Sequence, residues 1–141
     1  MAQEVPGVFT TTQQGTGQGA VLIANTDVLA APTGNIPGRA TQPANRAEFI
    51  SIFCTGLGAT IPPVAAGQAA GSSPLSETLL KPVVLVGGLP AEVLFSGLAP
   101  DFVGLYQVNA RVPDGAPLGN AVSLQIQIGG QTSNAVTIAI E

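Results

Sequence analysis

Residues able to do chemistry are few and scattered in this chain of 141 residues. It contains no histidine, which removes imidazole metal ligands, imidazole acid–base catalysis and the Ser-His and Cys-His nucleophile pairs. Cys54, the single cysteine, ends an apolar run. A cysteine in that setting behaves as a small buried hydrophobe more often than as a nucleophile. Lys81, the single lysine, has a candidate isopeptide partner in Asn109, with Glu48 and Glu92 as candidate assisting acids, but it precedes Pro82 at a strand start, where a solvated charge is expected. Asp27, Asp101 and Asp114 sit in turn-like settings. Calcium takes about six to eight oxygens, several of them carboxylate, and these three are far apart, so solvated turn roles are expected. No motif pairs two carboxylates for glycoside hydrolysis. Gly15-Thr16-Gly17-Gln18-Gly19 superficially matches a phosphate loop, but it precedes a strand instead of opening a helix and reads as a linker or turn. The expectation is a non-enzyme with no catalytic residue, no metal site and no cofactor.

Composition narrows the partners. Twelve charged side chains give a net charge of -4, and Arg39, Arg46, Lys81 and Arg111 lie apart from one another. That is not the basic stripe a phosphate backbone requires, so nucleic acid is not an expected partner. The apolar region from Pro82 to Pro100 contains Pro90, Glu92 and three glycines, which argues against a membrane-spanning helix. Met1-Ala2-Gln3-Glu4-Val5-Pro6 lacks the basic and apolar stretches of a signal peptide. With 45% hydrophobic residues and a mean hydropathy of +0.43, the chain should fold, as one domain.

The elements holding these residues read as strands. Gly and Pro recur every 8 to 20 residues, so no apolar helix pattern survives three turns. Val122, Leu124, Ile126 and Ile128 alternate with Ser123, Gln125 and Gln127, and after Gly129-Gly130 a second run places Val136, Ile138 and Ile140 on one side. The pair predicts a β-hairpin. Pro82–Val86 and Ala91–Ser96 flank Gly87-Gly88-Leu89-Pro90 and predict another. Glu48–Cys54 sets Ile50, Ile52 and Cys54 against Phe49, Ser51 and Phe53, a strand partly covered on both faces. Gly104–Val112 sets Tyr106, Val108, Ala110 and Val112 inward, with Leu105, Gln107, Asn109 and Arg111 outward. Gly19–Ala24 supplies the first strand. About seven short strands fit an all-β, two-sheet Greek-key sandwich better than a closed barrel, although periodicity does not separate the two. Residues 27–45 and 55–81 fall outside this rhythm, and the second stretch is long for a structureless loop.

Several strings occur in a telling order: Val5-Pro6-Gly7-Val8-Phe9, Gly17-Gln18-Gly19-Ala20-Val21, Thr55-Gly56-Leu57-Gly58, Val86-Gly87-Gly88-Leu89-Pro90-Ala91, Gly97-Leu98-Ala99-Pro100, Val103-Gly104-Leu105-Tyr106-Gln107-Val108-Asn109, Val112-Pro113 and Ser133-Asn134-Ala135-Val136-Thr137-Ile138. Together they resemble an uncharacterised C-terminal Ig-like domain family at the ends of large secreted or surface proteins of acidobacterial-type soil bacteria. The resemblance implies an Ig-like sandwich over 19–141 without an inter-sheet disulfide, preceded by residues 1–18 as a linker or junction with a preceding domain. It also implies a location that is secreted or at the cell surface. It brings no catalytic residue. Cys54 stands where the family usually has a small residue, which implies packing. Tyr106 resembles the Tyr near the start of strand F whose hydroxyl caps a neighbouring connection, with Cys54 closing strand B.

The function expected from these readings is a non-catalytic extracellular structural or interaction module. It would pack against a neighbouring domain or like subunits, in a repeating surface assembly. Leu94 and Leu105 on outward faces, with Gln107, Asn109, Gln125 and Gln127, form the expected interaction surface; Tyr106 and Cys54 are structural. The alternative is a carbohydrate-binding module using a polar sheet face or the 55–81 loop. Against that alternative, most of the five Phe and the single Tyr fall at positions expected to be buried, leaving few rings on which a sugar could stack.

Overall fold

Short runs of β-branched and aliphatic residues, each stopped by Gly or Pro, favour extended backbone over helix. The structure, a computed structural model, describes residues 6–11, 17–24, 26, 28–34, 38, 40–58, 60–61, 76–99 and 105–141. Among these residues there is no helix, and 13 strands are formed. They are β1 (Gly7–Val8), β2 (Val21–Ile23), β3 (Leu29–Ala30), β4 (Thr41–Gln42), β5 (Phe49–Thr55), β6 (Thr60–Ile61), β7 (Glu77–Thr78), β8 (Val83–Val86), β9 (Leu89–Leu98), β10 (Tyr106–Arg111), β11 (Gly119–Ile128), β12 (Gln131–Thr132) and β13 (Val136–Ile140). The reading of about seven strands is therefore corrected. Six strands of four residues or more carry the side-chain alternation, whereas seven of two or three residues arise from backbone pairing that leaves no periodic trace.

The strands form one curled sheet in the order β12-β11-β8-β9-β10-β5-β2-β3-β4, with β1 beside β5, β13 beside β11, and β7 beside both β6 and β9. The corner of the curl is β9. Its residues Leu89–Ala91 pair with β8, and Glu92–Leu98 pair with β10. The two limbs consequently turn their apolar faces to a single core. Val21, Ile50, Ile52, Val108 and Ala110 come from one limb, and Val84, Leu124, Ile126, Val136 and Ile138 from the other; all are fully buried. Burying each larger aliphatic side chain stabilises the fold by roughly 1.5–3 kcal/mol.

Two glycine pairs set the hairpin registers. Gly87 and Gly88 have φ of 60° and 84°, and Gly129 and Gly130 have 59° and 80°. Positive φ at both central residues is the type I′ geometry that matches strand twist. Val86 then pairs with Leu89, so the β8–β9 connection is tighter than the four-residue link read from the sequence. Ile128 likewise pairs with Gln131, and the chain forms β12 before it rejoins β11 as β13, through Val122–Ile138 and Leu124–Val136. Between these two pairings Ser133 bridges: its N–H donates to the Ile126 carbonyl (2.8 Å) and its Oγ accepts from the Ile126 N–H (2.9 Å).

The far edge of β13 is closed by a parallel seam. Gly19 N donates to Thr137 O (2.8 Å), Thr137 N to Gly17 O (2.8 Å), Ala44 N to Ala139 O (2.9 Å) and Glu141 N to Ala44 O (2.9 Å). Gly7–Val8, inside the stretch read as linker or junction, pairs with Thr55 and Cys54, and Val8 is buried. Its other edge is held by a side chain. Val8 N donates to Asn134 Oδ1 (2.8 Å) and Asn134 Nδ2 donates to Val8 O (3.0 Å), a two-bond contact that imitates a neighbouring strand. We expect Asn134→Ala to cost about 1–2 kcal/mol and to speed hydrogen exchange at the Val8 amide while exchange at Ile52 is unchanged. Equal exchange at Val8 in both proteins would refute the clamp.

Within 55–81, β6 and β7 pair with each other, and residues 62–75 lie outside the described residues. No helix among the described residues is long and apolar enough to cross a membrane.

Candidate functional site

The outer face of β9, β10, β5 and β2 groups aromatic, aliphatic and amide side chains around one hollow. Along β5, Ile50, Ile52 and Cys54 are buried in the core, so Phe49, Ser51 and Phe53 must take the opposite face. Pairing extends each row across β10: Phe53 stands beside Gln107, Ser51 beside Asn109 and Phe49 beside Arg111. On the other flank, Leu22 of β2 stands beside Ser51. The rows enclose a hollow of about 530 Å³, lined by Leu22, Ala24, Thr26, Phe49, Ser51, Phe53, Leu94, Gln107 and Asn109.

A β-bulge builds the β9 wall of this hollow. The pairing of β9 with β10 passes from Phe95–Asn109 directly to Val93–Ala110, leaving Leu94 without a cross-strand partner on β10. Val93 still packs against the core and Ser96 is buried. The extra residue therefore sets two consecutive apolar side chains, Leu94 and Phe95, toward the outer face. Leu94 is 54% exposed, and it lines both this hollow and a smaller groove beside Leu79 and Leu80.

Polar groups form a stripe along β10. Gln107 Nε2 donates to Asn109 Oδ1 (2.9 Å), which fixes the two amides relative to each other. Next along the strand, Arg111 turns to Asp114 at 3.1 Å, an exposed pair. No charged side chain lines the hollow among the described residues.

The expected surface residues divide between two places. Leu94, Gln107 and Asn109 meet at the hollow. Leu105 is half-buried just before β10, where its carbonyl accepts from Ala99 N (2.8 Å). Gln125 and Gln127 lie on the other limb, beside Leu85 and Val83 of β8. Sequence reasoning missed the rings. None of the four described Phe is buried: Phe9 and Phe49 are exposed, and Phe53 and Phe95 are half-buried. The expectation that most were buried is corrected, because the core side of β5 is filled by Ile50, Ile52 and Cys54, and the bulge turns Phe95 outward. The signal lay in the alternation of β5, where both faces are apolar and the β-branched set takes the core.

Tyr106 and Cys54 sit on adjacent strands of one sheet, as direct cross-strand partners. The reading of Tyr106 as the tyrosine near the start of a strand F, with Cys54 closing strand B, is corrected: in an Ig sandwich those two strands lie in opposite sheets, whereas β10 pairs with β5 from Tyr106–Cys54 to Arg111–Phe49. The Tyr106 hydroxyl donates to the Gly58 carbonyl (2.5 Å), tying β10 to the connection after β5. Cys54 is a free, fully buried thiol, and burial pushes it up to about 12. Burial, followed by the neighbouring Cys54, also raises the Tyr106 phenol above its ordinary value.

Among the described residues no three His, Cys, Asp or Glu side chains gather into a metal-binding group. Lys81 is exposed, and Asp27 and Asp101 lie outside the described residues. Comparisons of the chain with protein-family models, with curated proteins and with solved structures give no match.

Proposed function

We propose that this chain is a non-catalytic interaction module of a secreted or cell-surface protein, folded as an Ig-like Greek-key sandwich and packing against a neighbouring domain or like subunits. The strand order supports the sandwich reading. One limb runs β2-β5-β10-β9 and the other β9-β8-β11-β13, the pattern of an Ig domain whose first and second strands share a sheet with the fourth and fifth. The resemblance to the C-terminal Ig-like family supports the extracellular setting.

One observation carries the packing reading. Of the nine exposed large hydrophobics among the described residues, Val83 and Leu89 lie in the β8–β9 hairpin and Leu118 just before β11, the neighbour of β8. Val83, Leu85 and Pro90 continue as an apolar strip on the outer side of that limb, bordered by Gln125 and Gln127. A contiguous apolar surface with a neutral polar border is the composition of a protein contact. Lys81 stands exposed at its corner, beside Val83 and Gln127.

The test is self-association. The weight-average mass of the wild-type chain, followed by light scattering, should climb above 14.0 kDa with concentration. Val83→Asp should weaken that association by about tenfold or more, since a carboxylate would be desolvated in the contact. Thermal unfolding should confirm that the variant stays folded. A wild-type chain that remains monomeric at every concentration would overturn packing between like subunits.

A further inference from the structure

We propose that the hollow on the outer face of β2, β5, β10 and β9 is a binding site for a neutral saccharide chain. This inference is independent of the packing surface on β8 and rests on how rings and amides are arranged. Phe49 and Phe53 are four residues apart on one strand face, about 13 Å along the sheet, with Ser51 between them. Sugar rings present C–H faces to aromatic rings and hydroxyls at their rims, so a ligand spanning two stacking positions meets a polar group between them.

Ser51 itself is buried, and the accessible polar groups come from β10, where Gln107 stands beside Phe53 and Asn109 beside Ser51. The Gln107–Asn109 bond uses Nε2 of one amide and Oδ1 of the other. Gln107 Oε1 and Asn109 Nδ2 are left as an acceptor and a donor without a partner among the described residues. Neighbouring sugar hydroxyls, each able to donate and accept, match this pair, and holding both amides in place beforehand reduces the ordering cost of binding. The bulged Leu94 walls the third side.

Charge selects among ligands. The lining contains no charged side chain, and the nearest guanidinium, Arg111, is engaged with Asp114. Within the lining an anionic polysaccharide would find nothing to neutralise it and a basic peptide no carboxylate, the nearby Glu92 standing outside it across from Arg111. With no acid in the lining to protonate a leaving group, the site holds a glycan without cleaving it.

The experiment is a heteronuclear NMR titration of the full chain with cellohexaose, laminarihexaose and maltohexaose, each up to about 10 mM, a ceiling suited to weak single-site affinity. Hexagalacturonate serves as the anionic comparison, and an uncharged apolar hexapeptide as the peptide comparison. At least one neutral hexasaccharide should shift the Gln107 and Asn109 side-chain amide signals saturably, with hexagalacturonate and the peptide binding at least about tenfold more weakly. Asn109→Ala and Phe53→Ala should each weaken binding by about tenfold; Gln107→Ala provides a second amide variant if either fails to fold. Val83→Asp should bind the sugar as the wild type does, which keeps this test apart from self-association. Three results would each overturn the site: no amide shift with any neutral hexasaccharide, tighter binding of the peptide or hexagalacturonate, or affinity unchanged in the folded variants.

Discussion

Gly97→Ala should lower the melting temperature by about 10 °C. A Cβ at this position would collide with the Ser76 carbonyl oxygen and lie 3.0 Å from Glu77 Cα and 2.8 Å from the Phe95 ring. The ring has room to turn. The backbone atoms do not, because Ser76 O accepts the Leu98 N–H at 2.8 Å and Glu77 pairs directly with Gly97. Overpacking costs about 1–3 kcal/mol and sometimes more, and a clash with paired backbone belongs at the upper end. About 3 kcal/mol in a domain of this size corresponds to the stated shift. Exchange at the Leu98 amide should accelerate as β7 lifts away from β9. Gly115→Ala is the control: its Cβ would meet only Leu89, at 3.7 Å, and the melting temperature should stay within about 2 °C. An unchanged melting temperature and full Leu98 protection in Gly97→Ala would show that the approach of β7 to β9 is looser than described.

The second large effect appears in alkali. Cys54 is fully buried between Val8 and Tyr106, and its thiol is raised from 9.0 to about 12 by loss of solvation. Its folded pKa lies above the unfolded one, so the unfolded chain releases a proton first. Between about pH 9 and 12 the folded state still binds the proton that the unfolded state has lost, and stability falls as pH rises. The slope is about 1.4 kcal/mol per pH unit, about 4 kcal/mol over the whole window. Below pH 9 the contribution is fully present. Tyr106, also raised, acts in the same direction at higher pH. Urea unfolding at pH 7, 9.5 and 11 should show the wild type losing stability faster than Cys54→Ala, although the alanine variant starts lower because it leaves a small cavity. Parallel curves would mean that water reaches the thiol. A thiol reagent should likewise find Cys54 inert until the chain unfolds.

What could be read from the residues depended on whether side chains or backbone carried the signal. The β8–β9 hairpin was legible because two adjacent glycines between apolar runs supply the positive φ of its turn, and β11 and β13 because aliphatic residues alternate strictly with small or polar ones. The β10 stripe of Gln107 and Asn109 was legible for the same reason. Pairings of two residues, such as β3 with β4 or β6 with β7, are too short to show a period. The bulge at Leu94 was hidden because Val93, Leu94 and Phe95 are all apolar, so a one-residue slip changes which of them faces out without changing the pattern. The outward rings were hidden for a related reason: β5 is apolar on both faces, and only the packing of Ile50, Ile52 and Cys54 decides that Phe49 and Phe53 point away. The adjacency of β10 and β5 follows from chain path, which no local pattern encodes.

The Asn134 clamp on Val8 has a consequence for the order of assembly. The two residues are 126 positions apart in the chain, and the β13 seam likewise joins the last strand to Gly19 and Ala44. β1, the earliest described strand of this fold in chain order, is thus among the last to be locked. A domain closed by contacts of such long separation pays its loop-closure entropy before those contacts form, so it folds on the slow, millisecond-to-second side of the range for its size. Until residues 134–141 have been synthesised, the outer edge of Val8 and the seam to Gly19 and Ala44 stay without their partners.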